Sequence, residues 1–295
     1  MNPKTLMTLI PAALLALACG KTAPAPENPD PVKPQETVKI PINIATAVTK
    51  VTDTAYEADD AIGLFVVNQP GDLLQSGNHA DNAKFAYDGE KWAADNQLYW
   101  ADDKTSADFY AYYPYSASAT VDGHSFSVQQ DQSTQDGYKA SEFLAGSKKG
   151  VAPTPDPVLI STDHIMSCLR IELKAGTGWT DSDINAAGVV ITGLQNNAKI
   201  NLADGTVTAD GNVADITPLP LGEGVYKALV VPQTVDNADL IKIKVGNNDY
   251  VLKTSVTFVS GKQNKCTIVI DRTSEGLNIS INPWKDGEEF GGTVN

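Results

Sequence analysis

The sequence is poor in the residues from which active sites and metal sites are built. It has three cysteines and three histidines among 295 residues, and no CxxC pair. The histidines (His79, His124, His164) are scattered, which argues against a zinc site. The sequence also lacks GxSxG, HExxH, a P-loop lysine and a dinucleotide glycine fingerprint. We therefore predict that the protein is not an enzyme, with no catalytic residues, no metal and no cofactor.

The sequence has no hydrophobic run long enough to span a membrane. The longest apolar run, Leu6 to Leu17, is about a dozen residues, whereas a spanning helix needs roughly 20. Lys4 precedes the run, and small residues lead into Cys19, an arrangement that resembles the lipobox of bacterial lipoproteins. We expect residues 1–18 to be a lipoprotein signal peptide and Cys19 to be acylated. The departure is Ala16, where leucine is more usual, so an ordinary secretory signal with an incidental cysteine stays open.

Positive charge is also scarce. Lys and Arg number 22 against 36 Asp and Glu, a formal net charge of -14. Removing residues 1–18 removes one lysine and no acid, and -14 - 1 gives -15. The phosphates of nucleic acid would repel a protein with this negative charge, so nucleic acid is excluded as a partner.

The two remaining cysteines, Cys168 and Cys266, leave two alternatives. An exported chain allows them to pair as a disulfide. Both nevertheless lie in strand-like segments, where a small buried thiol is the commoner outcome.

A proline-rich stretch at residues 19–37 precedes the first strand-like pattern. Prolines without apolar periodicity predict a semi-rigid tether. From Val38 the pattern has a period of two, with Val38, Ile40, Ile42 and Ile44 on one face. Pro41 cannot donate to a ladder, so this strand should lie at a sheet edge or end.

Short strand-like segments separated by turn residues follow to the end of the chain. Helical periodicity is nearly absent; only residues 180–187 suggest a short capped helix. This pattern predicts an all-β protein built from sandwiches or barrels. About 258 residues after the tether suit two sandwich domains, which we expect at 38–152 and 153–295.

The aromatic run from Asp108 to Tyr115 allows two interpretations. Alternation puts Phe109, Ala111 and Tyr113 on one strand face and Tyr110 and Tyr112 on the other. One face should be core, and the other could stack on sugar rings. An alternative function is therefore a monomeric surface glycan-binding lipoprotein, whose mark would be exposed aromatic side chains, with four tryptophans as candidates: Trp92, Trp100, Trp179 and Trp284.

Four stretches together resemble the fimbrillin-like proteins of Bacteroides-type bacteria, the subunits of type V pili. They are residues 49–57 leading into 60–65, Tyr99-Trp100 followed by 108–115, Asp163-His164 running into 165–174, and the tryptophan turn at 282–287. The resemblance implies two transthyretin-like β-sandwich domains in series, in a structural or accessory pilus subunit that supports adhesion. It also implies a place at the outer membrane and in the surface fimbria.

The resemblance further implies assembly by strand exchange. In the family, a protease removes the first strand of the lipoprotein precursor, and the emptied groove accepts a strand of another subunit. Here Val38, Ile40, Ile42 and Ile44 are the candidate displaceable residues, and Lys50 is the candidate cleavage point, where the family usually has arginine. Without cleavage, the protein would stay lipid-anchored as an anchor or accessory subunit. The implied partners are other pilus subunits, outer-membrane lipid, and surface glycans or proteins of host or bacteria.

Overall fold

The computed structural model describes residues 39–48, 56–272 and 289–294. Val38, Lys50, Cys19 and Trp284 lie outside these residues. The strands of the described part are β1 (Ile44–Val48), β2 (Ala61–Asn68), β3 (Ala80–Tyr87), β4 (Trp92–Ala94), β5 (Ala107–Tyr113), β6 (His124–Ser127), β7 (Leu144–Val151), β8 (Val158–His164), β9 (Ser167–Ala175), β10 (Gly188–Ile200), β11 (Val207–Ile216), β12 (Leu219–Gly222), β13 (Val225–Val230), β14 (Gln233–Val245), β15 (Asn248–Phe258), β16 (Gln263–Ile270) and β17 (Glu289–Val294). Two helices, α1 (Gln135–Lys139) and α2 (Asp181–Asn185), complete them. The predicted all-β class is confirmed.

The first sheet has seven strands in the order β1-β8-β7-β5-β2-β3-β4. Its pairs are antiparallel except at one edge, where β1 runs parallel to β8. Strand β8 follows residue 152, the predicted domain boundary, and still pairs in this sheet. The division into two domains and their transthyretin-like type stay predictions.

Two five-stranded sheets form the rest of the fold over the described residues. One has the path β11-β10-β14-β15, with β6 also paired to β10, and the other has the order β12-β13-β9-β16-β17. Strand β9 shows the alternation expected from its sequence, with Leu169, Ile171 and Leu173 buried and Arg170 and Glu172 less so. Period-two patterning therefore sets which face of β9 meets the core.

The short helix predicted at residues 180–187 is present as α2. Thr180 is its N-cap, and Thr180 and Asp183 form a capping box in which each side chain accepts the other's backbone N–H. Both described helices are five residues long, so neither has the length or apolar character to cross a membrane.

Two hydrophobic cores share the central strand β5. Phe109, Ala111 and Tyr113 pack into one core with residues of β1 and β2, which we call the groove core. Tyr110 and Tyr112 pack into the other, which extends through the two five-stranded sheets and which we call the main core. Both faces of β5 are therefore core, because this sheet is covered on both sides, and of the two interpretations of the aromatic run the structure supports core packing. All seven β5 residues are buried, which leaves no ring platform for a sugar there.

Candidate functional site

Residues 39–48, here called the closing segment, join the two ends of the seven-stranded sheet. Ile44 to Val48 pair with Val158 to Thr162 at one end of the strand order. At the other end, just beyond β4, the Ile42 N–H donates to Leu98 O at 2.9 Å. The segment thus contacts both β8 and the loop after β4, the second and the seventh strand in the order of this sheet.

The regular strand within the closing segment is shorter than its sequence suggests. The alternating pattern predicts a strand from Val38 to Ile44, but the ladder begins at Ile44. Pro41 makes only an isolated bridge to Tyr99, because proline has no N–H to donate. The Trp100 N–H donates to Ile40 O at 2.9 Å, so backbone bonds flank the proline on both sides.

The predicted inward face of the closing segment does meet the groove core. Ile42 is 1% and Ile44 is 5% exposed, and Ile40 is half-buried against the same core. Complete burial of one such side chain is worth about 1.5–3 kcal/mol. The structure thus brings the three described strand-exchange candidates to one surface.

Thr46 extends the same inward series and was missed by sequence analysis. Its hydroxyl accepts a 2.9 Å hydrogen bond from Trp92 Nε1, and Trp92 is 9% exposed. The available signal was a β-branched residue at the next even position after Ile44. Nothing in the sequence indicated that its partner would be Trp92, which is 46 residues away. The site therefore has three apolar contacts followed by one polar contact.

Polar contacts fix the closing segment against the loop before β8. The Val158 N–H donates to Asn43 O at 2.9 Å, and Asn43 Nδ2 donates to Pro155 O at 3.1 Å. Trp100, buried in the groove core, donates from Nε1 to Thr154 O at 3.0 Å. The groove that holds the segment is therefore shaped by well-bonded loops as well as by strands.

A charged cluster anchors the chain that follows residues 49–55. Lys139 Nζ lies 2.7 Å from Glu57 Oε2 and 3.0 Å from Asp60 Oδ1, and Tyr113 donates to the same Asp60 oxygen at 3.1 Å. Burial alone would lower the pKa of Lys139, but its hydrogen bonds to Glu57 and Asp60 outweigh burial and raise that pKa. Tyr56 donates to or accepts from Thr162 Oγ1 at 3.0 Å, and burial raises the pKa of Tyr56 to about 12. Residues 56–60 are thus attached to β5, β8 and α1 independently of the closing segment.

His164, the last residue of β8, lies beside Glu142 with its side chain largely buried. His164 Nδ1 lies 2.9 Å from Glu142 Oε1, and both side chains are at most 10% exposed. In the described part of the chain, no three His, Cys, Asp or Glu residues are grouped to hold a metal ion. An open cleft of about 1030 Å³ beside His164 is lined largely by small and polar residues.

Of the cysteines and tryptophans considered in the sequence, those that the structure describes contribute to packing rather than to a binding site. Cys168 and Cys266 are thiols rather than a disulfide, since their register on β9 and β16 places Cys168 opposite Gln263 and Cys266 opposite Ile171. Trp92 and Trp100 are buried, and Trp179 packs against the main core. These three tryptophans do not form the exposed aromatic surface that a glycan-binding role requires.

Comparisons with known proteins agree with this architecture. A family model described as fimbrillin-like matches residues 49–284. A Bacteroides uniformis protein named "Putative fimbrium subunit Fim1C" is 29% identical over an alignment of 318 residues, which covers 100% of this chain and 99% of that protein. The crystal structure of "a putative cell adhesion protein" from Bacteroides uniformis matches with a TM-score of 0.63 and 25% identity, over 79% of this chain and 94% of that one. A second structure with the same description, from Bacteroides ovatus, shows the fold alone, with a TM-score of 0.62, 19% identity, and coverage of 76% and 89%.

Proposed function

Because the chain belongs to the fimbrillin-like family, whose members are structural fimbrial subunits rather than enzymes, we propose that it is a structural or accessory subunit of a cell-surface fimbria. In this proposal it is exported as a lipoprotein and anchored to the outer membrane through Cys19. It joins other pilus subunits by β-strand exchange and so supports adhesion. The observation that carries the proposal is the closing segment, a peripheral strand whose apolar side chains fill a groove.

The order of features along the chain supports removal of this strand by one cut. Cys19 comes first, the closing segment at residues 39–48 follows, and Lys50 lies two residues after its end. A cut after Lys50 would release the lipid anchor and the closing segment together. The charged cluster of Lys139, Glu57 and Asp60 would stay with the body and hold its new N-terminal stretch.

The emptied groove would have a strong tendency to accept another strand. Loss of Ile42 and Ile44 alone forfeits about 3–6 kcal/mol of apolar burial. The Val158 N–H and its neighbours on β8 would also lose their ladder partners, leaving an open sheet edge. A strand from another subunit would restore both contributions, which is β-augmentation.

The experiment that tests the proposal is a controlled cut of the purified chain. A specific protease site is inserted after Lys50, and mass is measured by light scattering before and after cleavage. We expect a monomer before the cut and concentration-dependent oligomers after it. A matched control carries the same site in the β14–β15 turn at Gly246 and Asn247 and should stay monomeric when cut. A stable monomer after cleavage at residue 50 would contradict strand exchange.

The native protein gives a second test of maturation. We expect the protein sheared from cells to begin at Val51, and N-terminal sequencing with intact-mass measurement would show it. A lipid-modified Cys19 start confined to the membrane fraction would exclude a cleaved stalk subunit and leave the role of an anchor or accessory subunit.

A further inference from the structure

The inward face of the closing segment has one polar position, Thr46. Its hydroxyl receives the indole N–H of Trp92 at 2.9 Å. An indole nitrogen can only donate, and this one belongs to a residue that is 9% exposed. Trp92 therefore needs an acceptor from whatever strand lies in the groove.

Trp92 is held in place by residues outside the closing segment. Tyr56 meets its ring edge-on, with centroids 4.9 Å apart and an interplanar angle of 84°. Tyr87 lies against it with centroids 5.0 Å apart. Because both tyrosines follow Lys50 in sequence, the direction of the indole N–H does not depend on the strand that a cut would remove.

The other polar contacts of the closing segment discriminate little between strands. Its side-chain bond from Asn43 Nδ2 to Pro155 O is exposed to solvent, where it contributes little selection. The ladder to β8 and the bond from the Ile42 N–H to Leu98 O are backbone contacts. Gln97 Nε2 likewise donates to the backbone oxygen of Ile42 at 3.3 Å. Any extended strand can supply these groups, so they give affinity without selection. Selection must come from the side chains that point inward.

We propose that the groove selects its incoming strand by a hydrogen-bond acceptor at the Thr46 position. The partner is a β-strand with large apolar side chains at the positions of Ile42 and Ile44 and a hydroxyl or amide oxygen two residues later. A strand with an aliphatic residue there leaves Trp92 Nε1 buried without an acceptor, which disfavours that strand. This inference rests on the proposed strand exchange and adds a chemical requirement for the partner.

The test uses the full chain, cut at a protease site inserted after Lys50, and synthetic strands added in excess. The first peptide has the sequence of residues 39–50, and the second carries Thr46→Val, which keeps the shape and removes the acceptor. We expect the valine peptide to bind roughly 5- to 100-fold more weakly by fluorescence anisotropy. A control peptide with Ala45→Ser, changed on the opposite face, should bind like the first.

A variant of the chain with Trp92→Phe completes a double-mutant cycle with the Thr46→Val peptide, because phenylalanine keeps an aromatic ring and lacks the indole N–H. The two peptides should bind this variant with equal affinity. Equal binding to the unmodified chain overturns the selection by Thr46 and leaves strand exchange intact. If no peptide binds the cut chain, both strand exchange and the selection are overturned. Discrimination that persists in Trp92→Phe overturns the assignment of Trp92 as the selecting group.

Discussion

Truncation of Ile42 is the most direct measure of how strongly the closing segment is held. Ile42 is 1% exposed and lies outside the regular ladder, so Ile42→Ala changes packing and leaves the backbone bonds of β1 in place. The change removes three carbons, and at about 0.8 kcal/mol each the transfer loss is about 2.4 kcal/mol. The cavity left in the groove core adds to this, so we expect a total loss of about 2–5 kcal/mol in the free energy of unfolding.

Urea unfolding followed by circular dichroism measures this loss. Because m rises with chain length and is about 3 kcal/mol/M at the upper end of the usual range, a loss of about 2–5 kcal/mol should lower the midpoint by about 0.7–1.7 M. The matched control is Leu159→Ala on the neighbouring strand β8, where the side chain is 54% exposed and the change should stay within about 0.5 kcal/mol. A loss below about 1 kcal/mol for Ile42→Ala would refute the claim that apolar contacts seat the closing segment.

Three further predictions concern the body of the fold. Gly63→Ala should lower the free energy of unfolding in urea by about 1–3 kcal/mol, because a Cβ at this position would overlap the Tyr112 ring. The control Gly188→Ala should not lower it, because the nearest atom to a Cβ there is 3.9 Å away. Burial raises the pKa of Tyr112 to about 12, so between about pH 10 and 12 the folded state retains a proton that the unfolded state loses. The free energy of unfolding should therefore fall over this pH range, and it should fall by less in a Tyr112→Phe variant. Thiol labelling of the native protein with peptide mapping should modify Cys168 and spare Cys266, which is 0% exposed and whose thiol pKa burial raises; equal labelling would contradict that difference.

The fold class was predictable because its signal is local. Alternation along β9 and along residues 40–44 correctly predicted which side chains face a core. The capping box of α2 was equally visible, since Thr180 and Asp183 are three residues apart. Each of these predictions depends on residues that are neighbours in sequence.

The site was only partly predictable because its partners are distant in sequence. Nothing near Ile44 indicates that it pairs with Val158, 114 residues later, or that the pairing is parallel. The same holds for the hydrogen bond from Trp92 to Thr46. Local alternation also could not show that β5 is covered on both faces, because that depends on how the sheets pack.

The separation into two cores explains how the body could survive loss of its first strand. Ile40, Ile42 and Ile44 belong to the groove core, whereas the opposite face of the seven-stranded sheet packs into the main core. The main core also has a polar attachment: the Gln132 side chain, which is fully buried, exchanges two 2.8 Å hydrogen bonds with the backbone N–H and C=O of Leu229 on β13. Because none of residues 39–47, whose side chains the structure describes, lies in this core, removing them would open the groove without removing any of their side chains from the main core. A subunit that must lose one strand and accept another needs this separation, since the same apolar face has to remain shaped between the two events.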